Sequence, residues 1–374
     1  MSAGASTEAG VQARRLGVKS ALLVTDTYMV SSGLAGRVAD SMRREGVRVT
    51  VYPGVQPDPT DLNVMEGLEM LRENRCGMVV GLGGGSPMDC AKAISAMSAN
   101  PQPISLYAGL HKVPNKGVPI ITIPTTAGTG AEVSKVVVIG DTARNVKMMI
   151  LDLNLMADVA LVDYELTMTC PPQLTANVGV DTLVHAVEAY VSVKASPMTD
   201  PYALSSIRHV SENLLTAYNE PNNREAREGM TLASLQAGIA FPNSSVCLVH
   251  GMSRPIGALY HVPHALPNAV LFPAVTEFSI SGAPGRYATV SRTMGYATED
   301  DSDDIANEKL VAGLKKLNED LKIPRLGDVC NVDLSVFDEN VVKMAEDSIA
   351  SGSPGNNPVV PTAEQIVDLY HRAW

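Results

Sequence analysis

The sequence is short of several things, and each shortage removes a class of function. Aromatic side chains are only 4 % of the 374 residues, with one Trp and four Phe, so stacking platforms for nucleobases are not expected. Positive charge is outnumbered: 29 Lys and Arg face 40 Asp and Glu, for a net charge of -11. An acidic surface repels phosphate backbones and anionic lipid, so neither nucleic acid nor a membrane is expected as a partner. No apolar run approaches the roughly 20 residues that a spanning helix needs. The cysteines (Cys76, Cys90, Cys170, Cys247 and Cys330) are scattered, odd in number and never spaced as CxxC. That excludes a disulfide framework or a thiolate metal site, and it suits a reducing cytoplasm. The opening MSAGASTEAGVQARR lacks the apolar segment of a signal peptide.

What remains is a globular composition, 45 % hydrophobic and 18 % charged, long enough for two domains. Four short β-type runs occupy 20–26 (SALLVTD), 48–55 (RVTVYPGV), 77–83 (GMVVGLG) and 118–126 (VPIITIPTT). Helical patterns at 34–45 and 62–73 lie between them. This alternation predicts a parallel sheet with helices on both faces. After Cys170-Pro171-Pro172 the pattern turns helical, over 178–193, 201–218, 223–240, 306–321 and 341–348. The expected division is an α/β domain over 1–168 and an all-helical domain over 169–374.

Two glycine-bearing loops follow strands. The first is Gly81-Leu82-Gly83-Gly84-Gly85-Ser86-Pro87-Met88-Asp89, which runs into a helix. Glycines let a ligand approach the backbone, and the free N–H groups of a helix start suit a pyrophosphate. Ser86 followed by Pro87 reads as an N-cap with Pro at the first helical position. The usual GxGxxG fingerprint is not matched. The second loop is Pro124-Thr125-Thr126-Ala127-Gly128-Thr129-Gly130, whose hydroxyls and backbone suit a phosphate or ribose. Either loop alone also reads as a tight turn with no ligand. Together they stand at strand ends, where open α/β sheets bind nucleotides. Asp26 closes the first strand, where an acid can accept from a ribose hydroxyl or simply cap a helix.

Asp181 and His185 are four residues apart in a helical stretch, so they share a face with Cβ atoms about 5–6 Å apart. His250 and His264 follow. One carboxylate and three imidazoles suit Fe(II), Zn(II) or Mn(II) and leave an open coordination position. Taken singly, each of these residues reads more readily as a cap, core or surface group than as a ligand. His261 competes with His264 as a ligand. His111, His209 and His371 have no partner at useful spacing and read as structural.

These segments resemble the iron-containing (group III) alcohol dehydrogenases. The similar stretches are GGGSPMDCAKAI, IPTTAGTGAEVS, DTLVHAVEAYVS, VHGMSRPIGALYHVPH and the end ASGSPGNNPVVPTAEQIVDLYHRAW, and the likeness runs from about residue 3 to the last. The resemblance implies a dehydroquinate-synthase-like fold, with an α/β dinucleotide-binding domain, an all-helical metal-binding catalytic domain and an active site between them. It implies Asp181, His185, His250 and His264 as metal ligands, with His250 and His264 counted as catalytic. It implies Gly83, Gly84, Gly85, Ser86 and Asp89 at the pyrophosphate, and Thr125, Thr126 and Thr129 towards the nicotinamide ribose. Lys147 would lie near the cofactor, Asp26 would favour NAD over NADP, and Asp58 would meet the adenosine side. A cytoplasmic homodimer or larger homo-oligomer is also implied.

Three departures from the family pattern stand out. A strand segment usually found ahead of the start is not seen, since Ala3-Gly4-Ala5 opens the chain, so that either the start is misassigned or an edge hairpin is lost. Ala265 replaces a common Gly, which would be strained if that position needed a positive φ. Arg254 replaces a common His one turn after His250. In the implied reaction a metal polarises a carbonyl and a nicotinamide delivers hydride. An arginine cannot relay protons, because its pKa exceeds about 12. Arg254 is therefore expected to bind substrate, reading a carboxylate, sulfonate or phosphonate on a short aldehyde. Its alternative role is to pair with a protein carboxylate and shape the pocket. A transhydrogenase, a lyase related to dehydroquinate synthase and a non-enzymatic scaffold are the competing functions.

Overall fold

The computed structural model describes residues 1–144 and 146–374. The chain forms two compact units, Met1–Thr169 and Cys170–Trp374.

The first unit runs α1 (Ala9–Arg15), β1 (Ser20–Val24), α2 (Thr27–Ser31), α3 (Leu34–Arg44), β2 (Arg48–Tyr52), α4 (Asp61–Glu73), β3 (Met78–Gly83) and α5 (Gly85–Ala99). It continues with β4 (Gly109–Leu110), β5 (Ile120–Pro124), β6 (Val136–Asp141), β7 (Val146–Leu151) and β8 (Val159–Ala160). Five strands make a parallel sheet in the order β2-β1-β3-β5-β8, with Leu22 opposite Val79 and Val80 opposite Ile121. Successive strand side chains point to opposite faces. Leu22, Val24 and Val79 accordingly join a core under α4 and α5, while Ala21, Leu23, Val80 and Leu82 join another under α1 and α3. Both faces are covered, so β3 and β5 read as unbroken apolar runs rather than alternating ones.

The four strands and two helices expected from the sequence form here. A second sheet, β4-β7-β6, was not expected, and β6 and β7 pair antiparallel within it. Its inner residues Val137, Ile139, Met148 and Ile150 complete the core beside α5.

The second unit is helical: α6 (Pro172–Val191), α7 (Asp200–Asn219), α8 (Arg224–Ala240), α9 (Leu248–Tyr260), α10 (Ala265–Ser279), α11 (Pro284–Thr293), α12 (Asp303–Asp320), α13 (Leu326–Cys330), α14 (Leu334–Ala350) and α15 (Ala363–Ala373). α6 is buried almost all round and packs against α7, α8 and α10. Gly179 permits the close approach, since a Cβ there would fall 2.3 Å from Leu214 Cδ1. α15 starts in a capping box between Thr362 and Gln365, and Trp374, at its C-cap, packs on Phe337 with the ring centroids 4.4 Å apart. Among the described residues, no single helix is long and apolar enough to cross a membrane.

Candidate metal centre and nucleotide loops

In the first unit, neighbouring strands β1, β3 and β5 bring together the loops that follow them. The strand order reverses direction between β1 and β3, the kind of crevice where open α/β sheets bind ligands. Thr25 Oγ1 donates to the Leu82 carbonyl at 2.8 Å, and Thr125 N donates to the Gly83 carbonyl at 2.9 Å. These bonds lock the three strand ends. The two loops also face one another: a Cβ on Gly84 would meet Thr126 Oγ1 at 3.5 Å, and one on Gly85 would meet Thr129 Cγ2 at 3.0 Å. Gly83 is obligatory for the turn, with φ +145° and Pro87 Cγ 2.6 Å from where a Cβ would stand.

The helix start differs from expectation. Gly84 is the N-cap of α5, so Ser86 and Pro87 are its second and third residues. Proline is tolerated there because the first four helical N–H groups lack intrahelical acceptors anyway.

Asp26 caps α2, its Oδ1 accepting from Met29 N at 2.8 Å. Asp58, at φ +56°, takes an ion pair from Lys147 Nζ at 2.9 Å, which joins two residues assigned separately to the cofactor. The Asp89 carboxyl is turned towards β6, with Oδ2 accepting from Val138 N at 2.9 Å. Burial pushes it up to about 6, against the pull of Lys92. Lys92 went unnoticed in the sequence. It is fully buried, and its Nζ donates to the Ser134 carbonyl at 2.8 Å, which ties the exit of the threonine loop to α5.

In the second unit, Asp181, His185, His250 and His264 converge, with one ligand atom from each within 4.8 Å of all the others. Asp181 and His185 share the inner face of α6, His250 lies in the first turn of α9, and His264 caps α10. The first three are buried and His264 is exposed. His250 Nε2 lies 3.0 Å from His185 Nε2 and 3.7 Å from Asp181 Oδ1. Phe241 stacks on His185 at 4.5 Å. His261 does not join the group. It adopts φ +54° as the left-handed C-cap of α9, so its exposed side chain leaves the cluster. Ala265 is the first residue of α10 and is not in a positive-φ conformation, so the expected strain does not arise. His371, read as unpartnered, meets Asp338 at 2.8 Å across the packed helices, a contact that sequence spacing cannot reveal.

The cluster's electrostatics follow from burial. Desolvation opposes ionisation of Asp181, but the imidazoles of His185, His264 and His250 and the Asn268 amide outweigh it and hold the carboxyl below its ordinary range. Burial, with His185 alongside, pushes His250 well below its usual value, so its ring is neutral. Asn268 Nδ2 donates to Asp181 Oδ1 at 2.7 Å. Asp181 Oδ2, His185 Nδ1 and Asn268 Oδ1 are buried and find no hydrogen-bond partner among the described residues. A buried carboxylate oxygen left unpaired is costly, and a divalent cation held by Asp181 Oδ2 removes that cost. The donor set of one carboxylate and three imidazoles therefore fits a metal ion.

Two further residues escaped the sequence reading. Asn268 is one, and Glu188 on α6 is the other. Glu188 is pushed up to about 7 by burial. Arg254 lies one turn beyond His250, donates from Nη1 to Ser353 Oγ at 2.9 Å, and its charge acts on both Glu188 and His250.

The iron-containing alcohol dehydrogenase family matches residues 1–164, and the Fe-containing alcohol dehydrogenase C-terminal family matches residues 175–374. The chain is 36 % identical over 370 residues to an NAD-dependent methanol dehydrogenase of Bacillus methanolicus, covering 99 % of this chain and 96 % of that one. A solved 1,3-propanediol oxidoreductase superposes with a TM-score of 0.96 at 35 % identity, over 100 % of this chain and 96 % of the other. A sulfoacetaldehyde reductase from Bifidobacterium kashiwanohense, solved with NAD+, superposes with a TM-score of 0.89 at 30 % identity, over 99 % and 95 % of the two chains. The chain belongs to the iron-containing alcohol dehydrogenases and is an oxidoreductase acting on CH–OH groups.

Proposed function

We propose that this protein is an NAD(H)-linked, metal-dependent dehydrogenase that interconverts a short-chain alcohol and its aldehyde, and that Arg254 favours substrates carrying an anionic group. The observation that supports it most is the convergence of Asp181, His185, His250 and His264 around the unpartnered Asp181 Oδ2. Those four residues hold the cation, with Fe(II) the native ion and Zn(II) or Mn(II) as substitutes. When bound, the metal supplies Lewis-acid polarisation of a carbonyl, and the nicotinamide supplies or accepts hydride.

This chain's own groups do the rest. A dication held by one carboxylate and three imidazoles would keep net positive charge, which would favour negative charge developing on a substrate oxygen. The Gly83–Ser86 loop and the N-terminus of α5 take the pyrophosphate. Thr125, Thr126 and Thr129 line the path to the nicotinamide ribose. Asp26 accepts from the adenosine ribose with the oxygen not committed to Met29, and would repel a 2′-phosphate. The Asp58–Lys147 pair borders the adenosine, and Asp89 holds β6 against the glycine-loop helix. Such an enzyme works in the cytoplasm as a homo-oligomer.

The anion preference rests on the place of Arg254 one turn from His250, and on the likeness to a sulfoacetaldehyde reductase. The test is anaerobic NADH oxidation with Fe(II), Zn(II) or Mn(II), using anionic and neutral aldehydes of equal size. A charge-assisted bond of about 1.5–3 kcal/mol predicts a preference of roughly 10–150-fold for the anion, abolished in Arg254→Ala. An equal preference in both proteins would overturn the role of Arg254. Absence of NADH turnover with every metal and aldehyde would overturn the cofactor assignment.

A further inference from the structure

Asp181, His185 and Glu188 follow one another at i, i+4 and i+7 along α6, on a single helical stripe. The first two are candidate ligands. Glu188 is as deeply buried as they are, yet it stands outside the four-residue cluster. Its Oε2 lies 2.6 Å from His250 Nδ1, and its Oε1 accepts from Val249 N at 2.6 Å. Val249 is in the first turn of α9, where backbone N–H groups have no intrahelical acceptor. One carboxylate therefore caps the helix that carries His250 and also grips the far nitrogen of the His250 ring.

We infer that Glu188 is a positioning residue that fixes His250 with its proton on Nδ1 and the Nε2 lone pair aimed at the cluster. This inference rests on the metal reading above. A neutral imidazole that offers one nitrogen to a cation carries its hydrogen on the other, so with Nε2 in the cluster Nδ1 donates and the Glu188 Oε2 at 2.6 Å accepts. The opposite nitrogen is then a bare donor atom, and it is the one 3.0 Å from His185 Nε2 and 3.7 Å from Asp181 Oδ1. A carboxylate behind a ligating imidazole also raises the ligand's basicity.

The informative substitution is Glu188→Gln, which keeps size and shape. A glutamine has one acceptor oxygen where two are needed. If that oxygen serves Val249 N–H, the amide NH2 faces Nδ1 and drives the ring hydrogen onto Nε2. If it serves His250, the Val249 N–H is left facing another donor. Both outcomes weaken the site, by about 10–100-fold in metal affinity.

The test measures Zn(II) affinity by chelator competition and the visible spectrum of the Co(II) form, in wild type and Glu188→Gln. It also follows the His250 Nδ1–H resonance in the Zn(II)-loaded wild type by 15N-histidine NMR. The expected results are a 10–100-fold weaker Zn(II) affinity, an altered Co(II) spectrum, and a slowly exchanging, downfield Nδ1–H in the wild type. Equal affinities with identical spectra would overturn the role of Glu188, as would a wild-type His250 with no protected Nδ1–H. The NMR measurement decides the matter even if the variant does not fold. A wild type that binds neither ion would instead overturn the metal reading itself.

Discussion

Lys92 Nζ donates to the backbone carbonyl of Ser134 at 2.8 Å from inside the core of the first unit. Two part-buried or buried acids, Asp89 and Glu132, share its field. The three groups form a charged knot between α5 and the end of the threonine loop. Burial pushes Asp89 and Glu132 each up to about 6, against unfolded values near 4. Because the folded values are raised, the stability these carboxyls contribute is complete below about pH 4 and is lost as pH rises through about 6. Above that pH, Lys92 offsets the cost of two ionised acids. Lys92→Met should therefore destabilise the protein by about 3–5 kcal/mol at pH 8, as expected for breaking a buried ion pair, and by less at pH 5. Urea denaturation at the two pH values measures both numbers. An equal loss at each would show that Lys92 acts through packing alone.

Gly83→Ala should impair cofactor binding more than global stability. The residue sits at φ +145°, with Pro87 beside it, so a methyl group must move either the loop or the start of α5. Strain of this kind costs on the order of 1–3 kcal/mol, equivalent to roughly 5–150-fold in the dissociation constant for NADH if the loop yields. Calorimetric titration of the variant tests it. Unchanged affinity together with unchanged melting would contradict the geometry.

Metal removal should lower the melting temperature of the protein, and adding Zn(II) back should restore it, because a ligand that binds only the folded state stabilises it by mass action. Asp181→Asn should largely abolish that response. The amide replaces the one anionic ligand and leaves the cation only neutral donors. Differential scanning calorimetry with and without Zn(II) makes the comparison. A full Zn(II)-induced shift in Asp181→Asn would exclude Asp181 as a ligand.

Much of this site is legible in the sequence because its pieces are local. The Gly83–Ser86 loop is a strand-to-helix turn, and Asp181 and His185 announce one helical face. What is not legible depends on contacts between distant elements. Glu188 looks like one more inward position of a buried helix until α9 brings His250 to it from 62 residues away. Lys92 reads as an ordinary helical lysine, and only the chain 42 residues further on makes it an interior cation. The choice between His261 and His264 turns on a backbone dihedral at the end of α9, which spacing does not encode. The β6–β7 pair was missed for a related reason: a hairpin packed beside a parallel sheet has no helix following it to mark it as part of the alternation.

The packing of Trp374 against Phe337, with the rings tilted by 44°, has an optical consequence. The protein carries one tryptophan, at its final residue, and the rings are 4.4 Å apart in the second unit. Indole emission therefore originates from a single address, the docked end of α15, and the first unit is dark in that channel. Unfolding followed by fluorescence reports when the C-terminal helix lets go, whereas far-ultraviolet dichroism reports all the helices together. If the two curves coincide, the units melt as one cooperative body; if they separate, each has its own transition.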